Sequence, residues 1–158
     1  MAHPKEEKTL IILKPDTIHR GLAGEVVRRF ERKGLKIIGM KMMKLEDAVL
    51  EAHYAHIADK PFFAGIKKYM QAAPVIVLAL SGINAVSATR LIVGPTKGYE
   101  AAAGTIRGDL SLSMQSNLVH ASDGVDAGAE EVARFFKAEE LFEYTRNDFG
   151  FINAEESF

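Results

Sequence analysis

Residues 9–45, TLIILKPDTIHRGLAGEVVRRFERKGLKIIGMKMMKL, place a strand, a helix and a second strand in succession. Thr9 to Leu13 is a continuous apolar run, short enough for a buried strand, and Lys14-Pro15-Asp16 stops it. In the helix that follows, Leu22, Val26, Val27 and Phe30 share one face, while Arg28, Arg29, Glu31 and Arg32 face away. Gly34 is placed to end that helix, and Leu35 to Leu45 reads as a strand with Lys36, Lys41 and Lys44 partly exposed.

Outward from this unit, residues 46–71 read as an interrupted helical region. Asp47 would cap AVLEAHYAHIA, and Pro61 would lie near the first turn of FFAGIKKYMQ. PVIVLALS, residues 74–81, is β-branched, uncharged and flanked by turn residues, hence a strand. Asn84 would cap AVSATRLIV. About twenty irregular residues follow Gly94, then a short strand in SNLVHA, helices in DAGAEEVARFF and AEELFEY, and a tail. This order predicts an α+β fold: a ferredoxin-like split βαβ arrangement with a four-stranded, mainly antiparallel sheet and helices on one face. The expectation is one domain over residues 1–158, with a core of about 8–144 and a tail of 145–158.

Composition bounds the chemistry. The 158 residues are 47% hydrophobic and 26% charged, with a net charge of −1, so no global attraction to polyanions exists. The absence of cysteine removes disulfides, thiolate metal sites and cysteine nucleophiles, and fits a reducing compartment. MAHPKEEKTL has no apolar signal core, and the longest apolar run is far too short for a bilayer. We therefore expect a cytoplasmic protein without membrane partners.

The irregular stretch holds GPTKGYEAAAGTIRGD, and long loops in compact domains are usually functional or disordered. GPTKG lacks the Gly-Lys-Ser/Thr order of a P-loop. RGLAGEV offers backbone amides to an anion or simply makes a tight turn. Phosphate recognition would then fall to side chains: Lys14 at the end of the first strand, Arg90 before the loop, and Arg107 between Gly104 and Gly108. His53 and His56 could share a helical face toward a metal, but no third ligand is evident. His120 differs: Ser122 and Asp123 follow it, and Glu130 and Glu131 lie one short helix later. A carboxylate reaching its ring would suit a nucleophilic or general-base histidine, or a structural one. Tyr54, Phe62 and Phe63 are either core or a platform for a planar base.

Taken together, LIILKPDTIHRGLAGEVVRRFERKGLKIIGMKM, HYAHIADKPFFAGIKKYM, GTIRGD, SNLVHASD and KAEELFEY resemble nucleoside diphosphate kinases over roughly residues 8–144. The resemblance implies a ferredoxin-like core. It also implies transfer of the γ-phosphate of a nucleoside triphosphate to a nucleoside diphosphate by a ping-pong route through a phosphohistidine, which maintains NTP and dNTP pools. The family's histidine falls on His120. Lys14, Arg90, Thr96 and Arg107 correspond to phosphate contacts, Asn117 to a sugar contact and Phe62 to the base stack. Tyr54 and Lys14 would support the transferring group, while Ser122 and Glu131 orient the imidazole. Mg²⁺ would ride on the nucleotide phosphates rather than in a protein cage. The family forms homo-oligomers, and a hexamer is preferred here over a tetramer.

The chain departs from the family pattern at several places. Thr17 stands where the family usually has glycine, Lys97-Gly98 follow Thr96 where it has Asn-Pro, Ala103 replaces proline and Leu110 an aromatic residue. Ala121 replaces the glycine after the histidine, and His56 an acidic residue. We expect these to alter rate or assembly without abolishing catalysis. Two other functions fit a ferredoxin-like fold: an RNA-binding module and a catalytically silent scaffold. The strands carry no aromatic platform and the charge is slightly negative, so specific nucleic-acid binding is not expected. Retention of Lys14, Arg107, Asn117, His120 and Glu131 argues against a silent scaffold.

Overall fold

The computed structural model describes residues 3–156. In chain order its elements are β1 (Glu6–Leu13), α1 (Pro15–His19), α2 (Ala23–Lys33), β2 (Lys36–Met43), α3 (Asp47–His53), α4 (Phe63–Met70), β3 (Val75–Ile83), α5 (Ala85–Val93), α6 (Ile106–Leu110), β4 (Val119–Ala121), α7 (Val125–Phe135) and α8 (Phe149–Ile152). The sheet order is β2-β3-β1-β4, and all three strand pairs are antiparallel. This is the expected ferredoxin-like α+β arrangement.

Helices cover both faces of the sheet, not one. Leu10, Ile12, Val75, Val77 and Ala79 pack toward Leu50, Phe63, Met70, Val132 and Phe135 of α3, α4 and α7. Ile11, Leu13, Leu78 and Leu80 pack toward Val26, Phe30, Ala85, Val93 and Ile106 of α2, α5 and α6. Two-sided burial is why TLIIL and VIVLAL run apolar without alternation.

Several local expectations change. KPDTIH does not merely stop β1; Pro15 opens α1, where its missing N–H is no loss. The helix from Asp47 ends at His53, and residues 54–60 are turns, so His56 shares no helical face with His53. Helix α4 starts at Phe63, two residues beyond Pro61. Neither expected N-cap acts through its side chain. Asp47 is already helical and pairs with Lys67 at 3.0 Å, and Asn84 sits at φ 55° while Glu7 takes the Val86 amide.

The long loop is ordered by a 3-10 turn at Gly98–Glu100 and by α6. Thr105 caps α6, accepting the Gly108 amide at 2.9 Å. A Cβ at Gly108 would stand 1.9 Å from the Ala102 carbonyl, so only glycine permits that fold-back.

AEELFEY forms only one 3-10 turn, Ala138–Glu140, before the chain runs beside β2. There the Phe142 amide donates to Ile38 O at 2.8 Å and the Tyr144 hydroxyl to Ile37 O at 2.7 Å. The tail is part of the fold. It carries α8, Arg146 donates to Leu35 O at 3.1 Å, and Glu156 pairs with Lys5 at 2.7 Å.

Candidate active site

His120 stands in the middle of β4, opposite Ile12 of β1. Its ring lies on the side of the sheet covered by α3 and α7. Helix α7 rests directly on β1 because residue 128 is glycine: a Cβ there would be 2.3 Å from the Lys8 carbonyl oxygen. That close approach puts Glu131, the next turn along, against the imidazole.

His120 Nε2 lies 2.8 Å from Glu131 Oε2, and the Ser122 hydroxyl donates to the same oxygen at 2.6 Å. Ser122 in turn accepts the Leu10 amide at 3.0 Å, which ties the pair to β1. Burial would push the Glu131 carboxyl upward. The hydrogen bond and charge of His120, then Ser122, outweigh it and hold Glu131 below the usual carboxylate range. An ionised carboxylate only accepts, so the proton of a neutral His120 ring is on Nε2 and the lone pair is on Nδ1.

His53, which sequence reasoning set beside His56, instead contacts His120, with ring centroids 4.5 Å apart. Burial first, then the neighbouring His120, lowers its pKa, so it is neutral. Arg134 approaches His53 Nδ1 at 3.4 Å, and a guanidinium can only donate. His53 therefore carries its proton on Nε2. The His53–His120–Glu131 group has the residue types of a metal site, with ligand atoms within 4.8 Å of one another. Glu131 Oε2 is already engaged by both His120 and Ser122, and a hard oxygen-seeking cation finds no oxygen cage there.

On the open side, Lys14 donates to Asn117 Oδ1 at 2.6 Å. Burial pushes the Lys14 ammonium down to about 8; the Arg107 charge adds to this and Asp16 opposes it. Asn117 Nδ2 donates to Thr96 O and Met114 O, each at 2.9 Å, so one amide joins β1, the long loop and the approach to β4. Arg107 is only 4% exposed. Its Nε, Nη1 and Nη2 donate to the carbonyls of Asn117, Gly94 and Val119 at 3.1, 3.1 and 2.6 Å. Three of its five N–H groups thus hold backbone, and two remain for a ligand. Burial, then the Arg90 charge, lowers its pKa to about 10. Arg90 reaches Ala121 O at 3.4 Å and pairs with Asp123 at 3.1 Å.

A cavity of about 680 Å³ opens beside Lys14, lined by Tyr54, Phe62, Thr96 and Asn117 among others. Phe62 is 58% exposed, with its ring available for stacking, whereas Phe63 is core. Burial, with the Glu131 charge adding, raises the Tyr54 hydroxyl to about 12, which keeps it a neutral donor. Met114 and Gln115 line the same cavity and were missed because nothing in SLSMQSN signals a wall opposite Phe62. Gly128 was also missed, and His53 was read beside His56 rather than against His120. Gly128 reads as an ordinary helix glycine, and the partner of His53 is distant in sequence. Of the ten expected site residues, Lys14, Tyr54, Phe62, Thr96 and Asn117 line this cavity; His120, Ser122 and Glu131 form one hydrogen-bonded group, and Arg107 and Arg90 hold backbone carbonyls next to it.

A sequence profile for the family described as nucleoside diphosphate kinase matches residues 7–141. A nucleoside diphosphate kinase of Parabacteroides distasonis is 50% identical over 152 residues, covering 96% of this chain and 99% of that one. Human nucleoside diphosphate kinase A is 41% identical over 139 residues, covering 88% and 91%. Among solved structures, a nucleoside diphosphate kinase of Halobacterium salinarum in complex with CDP superposes with a TM-score of 0.90. It is 38% identical, with 93% of this chain and 98% of that one covered.

Proposed function

The chain belongs to the nucleoside diphosphate kinase family, and on that premise we propose that this nucleotide-binding phosphotransferase works by a ping-pong route through a phosphohistidine on His120. The observation that carries the proposal is the bond of His120 Nε2 to Glu131, which turns the lone pair on Nδ1 away from that carboxylate. In this reading the Nδ1 lone pair attacks the γ-phosphorus of a nucleoside triphosphate. The bond from phosphorus to the β,γ-bridging oxygen breaks, and its electrons leave with the diphosphate. Glu131 supports the positive charge that develops on the ring, and Ser122 fixes Glu131.

Lys14, the two free N–H groups of Arg107, Arg90 and the Thr96 hydroxyl offset charge on the phosphate oxygens, and the Tyr54 hydroxyl donates near the transferring group. Asn117 contacts the sugar, and Phe62 stacks on the base. Stacking reads only a π-face, so base selectivity is weak. A second diphosphate then enters the same cleft and the step runs backward. The complex of the Halobacterium relative with CDP supports nucleotide binding by this fold.

Mg²⁺ would arrive on the nucleotide rather than in a protein-built cage, and would supply charge neutralisation of the phosphates there. The physiological role is maintenance of NTP and dNTP pools in the cytoplasm. No described helix is long and apolar enough to cross a membrane. The protein self-associates, as a hexamer in preference to a tetramer. Strand β2 supports self-association: it is an edge strand of the sheet and exposes Met40 and Met42, an apolar surface that a second copy would cover. The departures at Thr17, Lys97-Gly98, Ala103, Leu110, Ala121 and His56 tune rate or assembly.

The test is incubation with γ-labelled ATP and Mg²⁺. An acid-labile, base-stable phosphoenzyme should form, pass its label to any added nucleoside diphosphate, and vanish in His120→Ala. An unlabelled wild type would end the proposal.

A further inference from the structure

Leu118 has φ 74°, and the only other non-glycine residue with positive φ among the described residues is Asn84. Asparagine tolerates that region; leucine does not. The Val119 amide donates to Asn117 O at 2.9 Å across it. A three-residue turn closed in this way around a positive φ is the rare, strained kind of γ-turn. It lies between Asn117 and His120, and its leucine side chain is fully buried in the core. Such strain persists only where the surroundings over-determine it.

The surroundings come from the chain just after β1. The Leu118 amide donates to Asp16 Oδ2 at 3.0 Å. The Leu118 carbonyl accepts the Lys14 amide at 2.8 Å and the Thr17 hydroxyl at 2.5 Å. Asp16 is steadied from the other side by the Tyr69 hydroxyl. Thr17 is fully buried inside α1. A helical threonine ordinarily turns its hydroxyl to a carbonyl of its own preceding turn. Here the hydroxyl reaches a residue 101 positions away. Arg107 captures the carbonyls on either side of Leu118, so among the described residues Thr17 supplies the one side-chain donor to the strained residue itself.

We propose that Thr17 is a positioning residue: its hydroxyl, donated to Leu118 O, holds the strained turn that keeps His120 and Asn117 in line with Lys14. The idea rests on the reading of His120 as the phosphoryl acceptor. Thr17 is fully buried and does not line the cavity beside Lys14. It acts through the backbone that carries both the sugar contact and the nucleophile. Small displacements of a reacting atom lower transfer rates steeply, so the effect belongs to the transfer step more than to affinity or folding.

The experiment measures the single-turnover rate of His120 labelling by γ-labelled ATP, the affinity for ADP and the melting temperature. It uses wild type, Thr17→Val, Thr17→Ala and Thr17→Ser. Valine keeps the shape without the hydroxyl; alanine removes the hydroxyl without adding bulk, so a misfolded valine variant does not end the test. We expect Val and Ala to label roughly tenfold more slowly, with ADP affinity changed much less, and Ser to label near the wild-type rate. Labelling of Val or Ala at the wild-type rate overturns the proposal while leaving the phosphohistidine intact. So does a Ser variant as slow as Val, or a loss of rate that merely tracks loss of folded protein. A wild type that takes no label overturns the phosphohistidine and this proposal together.

Discussion

Replacing Lys14 by methionine separates what the cleft does for nucleotides from what it does for the fold. Burial lowers the ammonium to about 8 in the folded chain, against its ordinary 10.5. The unfolded chain therefore binds more protons between these values, and the contribution of this group to stability rises as pH increases through that window. Below about pH 8, holding the charge costs the fold about 3 kcal/mol. Methionine removes that penalty and forfeits the bond to Asn117, worth about 1 kcal/mol. The net gain of about 2 kcal/mol should raise the melting temperature at neutral pH by about 4–8 °C. Nucleotide binding moves the other way. Near pH 9, one unit above the pKa, only about one Lys14 in eleven is charged, so the dissociation constant of Mg·ADP should rise roughly tenfold from its value near pH 7. Calorimetric titration of wild type across pH 7–9, alongside thermal melts of both proteins, reads both effects. A methionine variant that melts below wild type near pH 7, or an ADP affinity that is flat with pH, would refute the reasoning.

Glu131→Gln keeps the shape but exchanges a charge-assisted acceptor for a neutral one, a difference of about 1–1.5 kcal/mol. Phosphoenzyme formation should slow about 5- to 13-fold in stopped-flow labelling, with ADP affinity nearly unchanged. Gly128→Ala places a methyl against the Lys8 carbonyl and forces α7 off β1, an overpacking that costs about 1–3 kcal/mol. Urea unfolding should show that loss together with a labelling defect, because Glu131 moves with the helix. Phe62→Ala should weaken ADP by about 1–3 kcal/mol, and by similar amounts for the other nucleoside diphosphates. A large difference among bases in calorimetry would mean that an edge, not a ring face, is being read.

Much of the fold was legible because its signals are local. The apolar runs at residues 9–13 and 74–81 and the glycine after α2 needed no knowledge of neighbours. What failed was decided at a distance. Asp47 and Asn84 look like caps, yet Lys67 and Glu7 settle their surroundings from other elements. The second helical layer was missed because a strand buried on both faces and a short strand buried on one look alike over five residues. For the site, residue types carried the list, but not which backbone groups each side chain holds. Arg107 looked like an exposed fork framed by glycines and is instead a buried clasp on three carbonyls. Thr17 looked like a blemish in a turn and is the donor to Leu118.

The brevity of β4 has a kinetic consequence. Its three residues have little to hold them until β1, α5 and α6 are already in place, since Val119 pairs with Leu13 across more than a hundred residues of chain. Contacts of such sequence separation form late and slowly. On refolding from denaturant, helical ellipticity should therefore return before enzymatic turnover. The lag between them would time the docking of a single short strand, with His120 as its reporter.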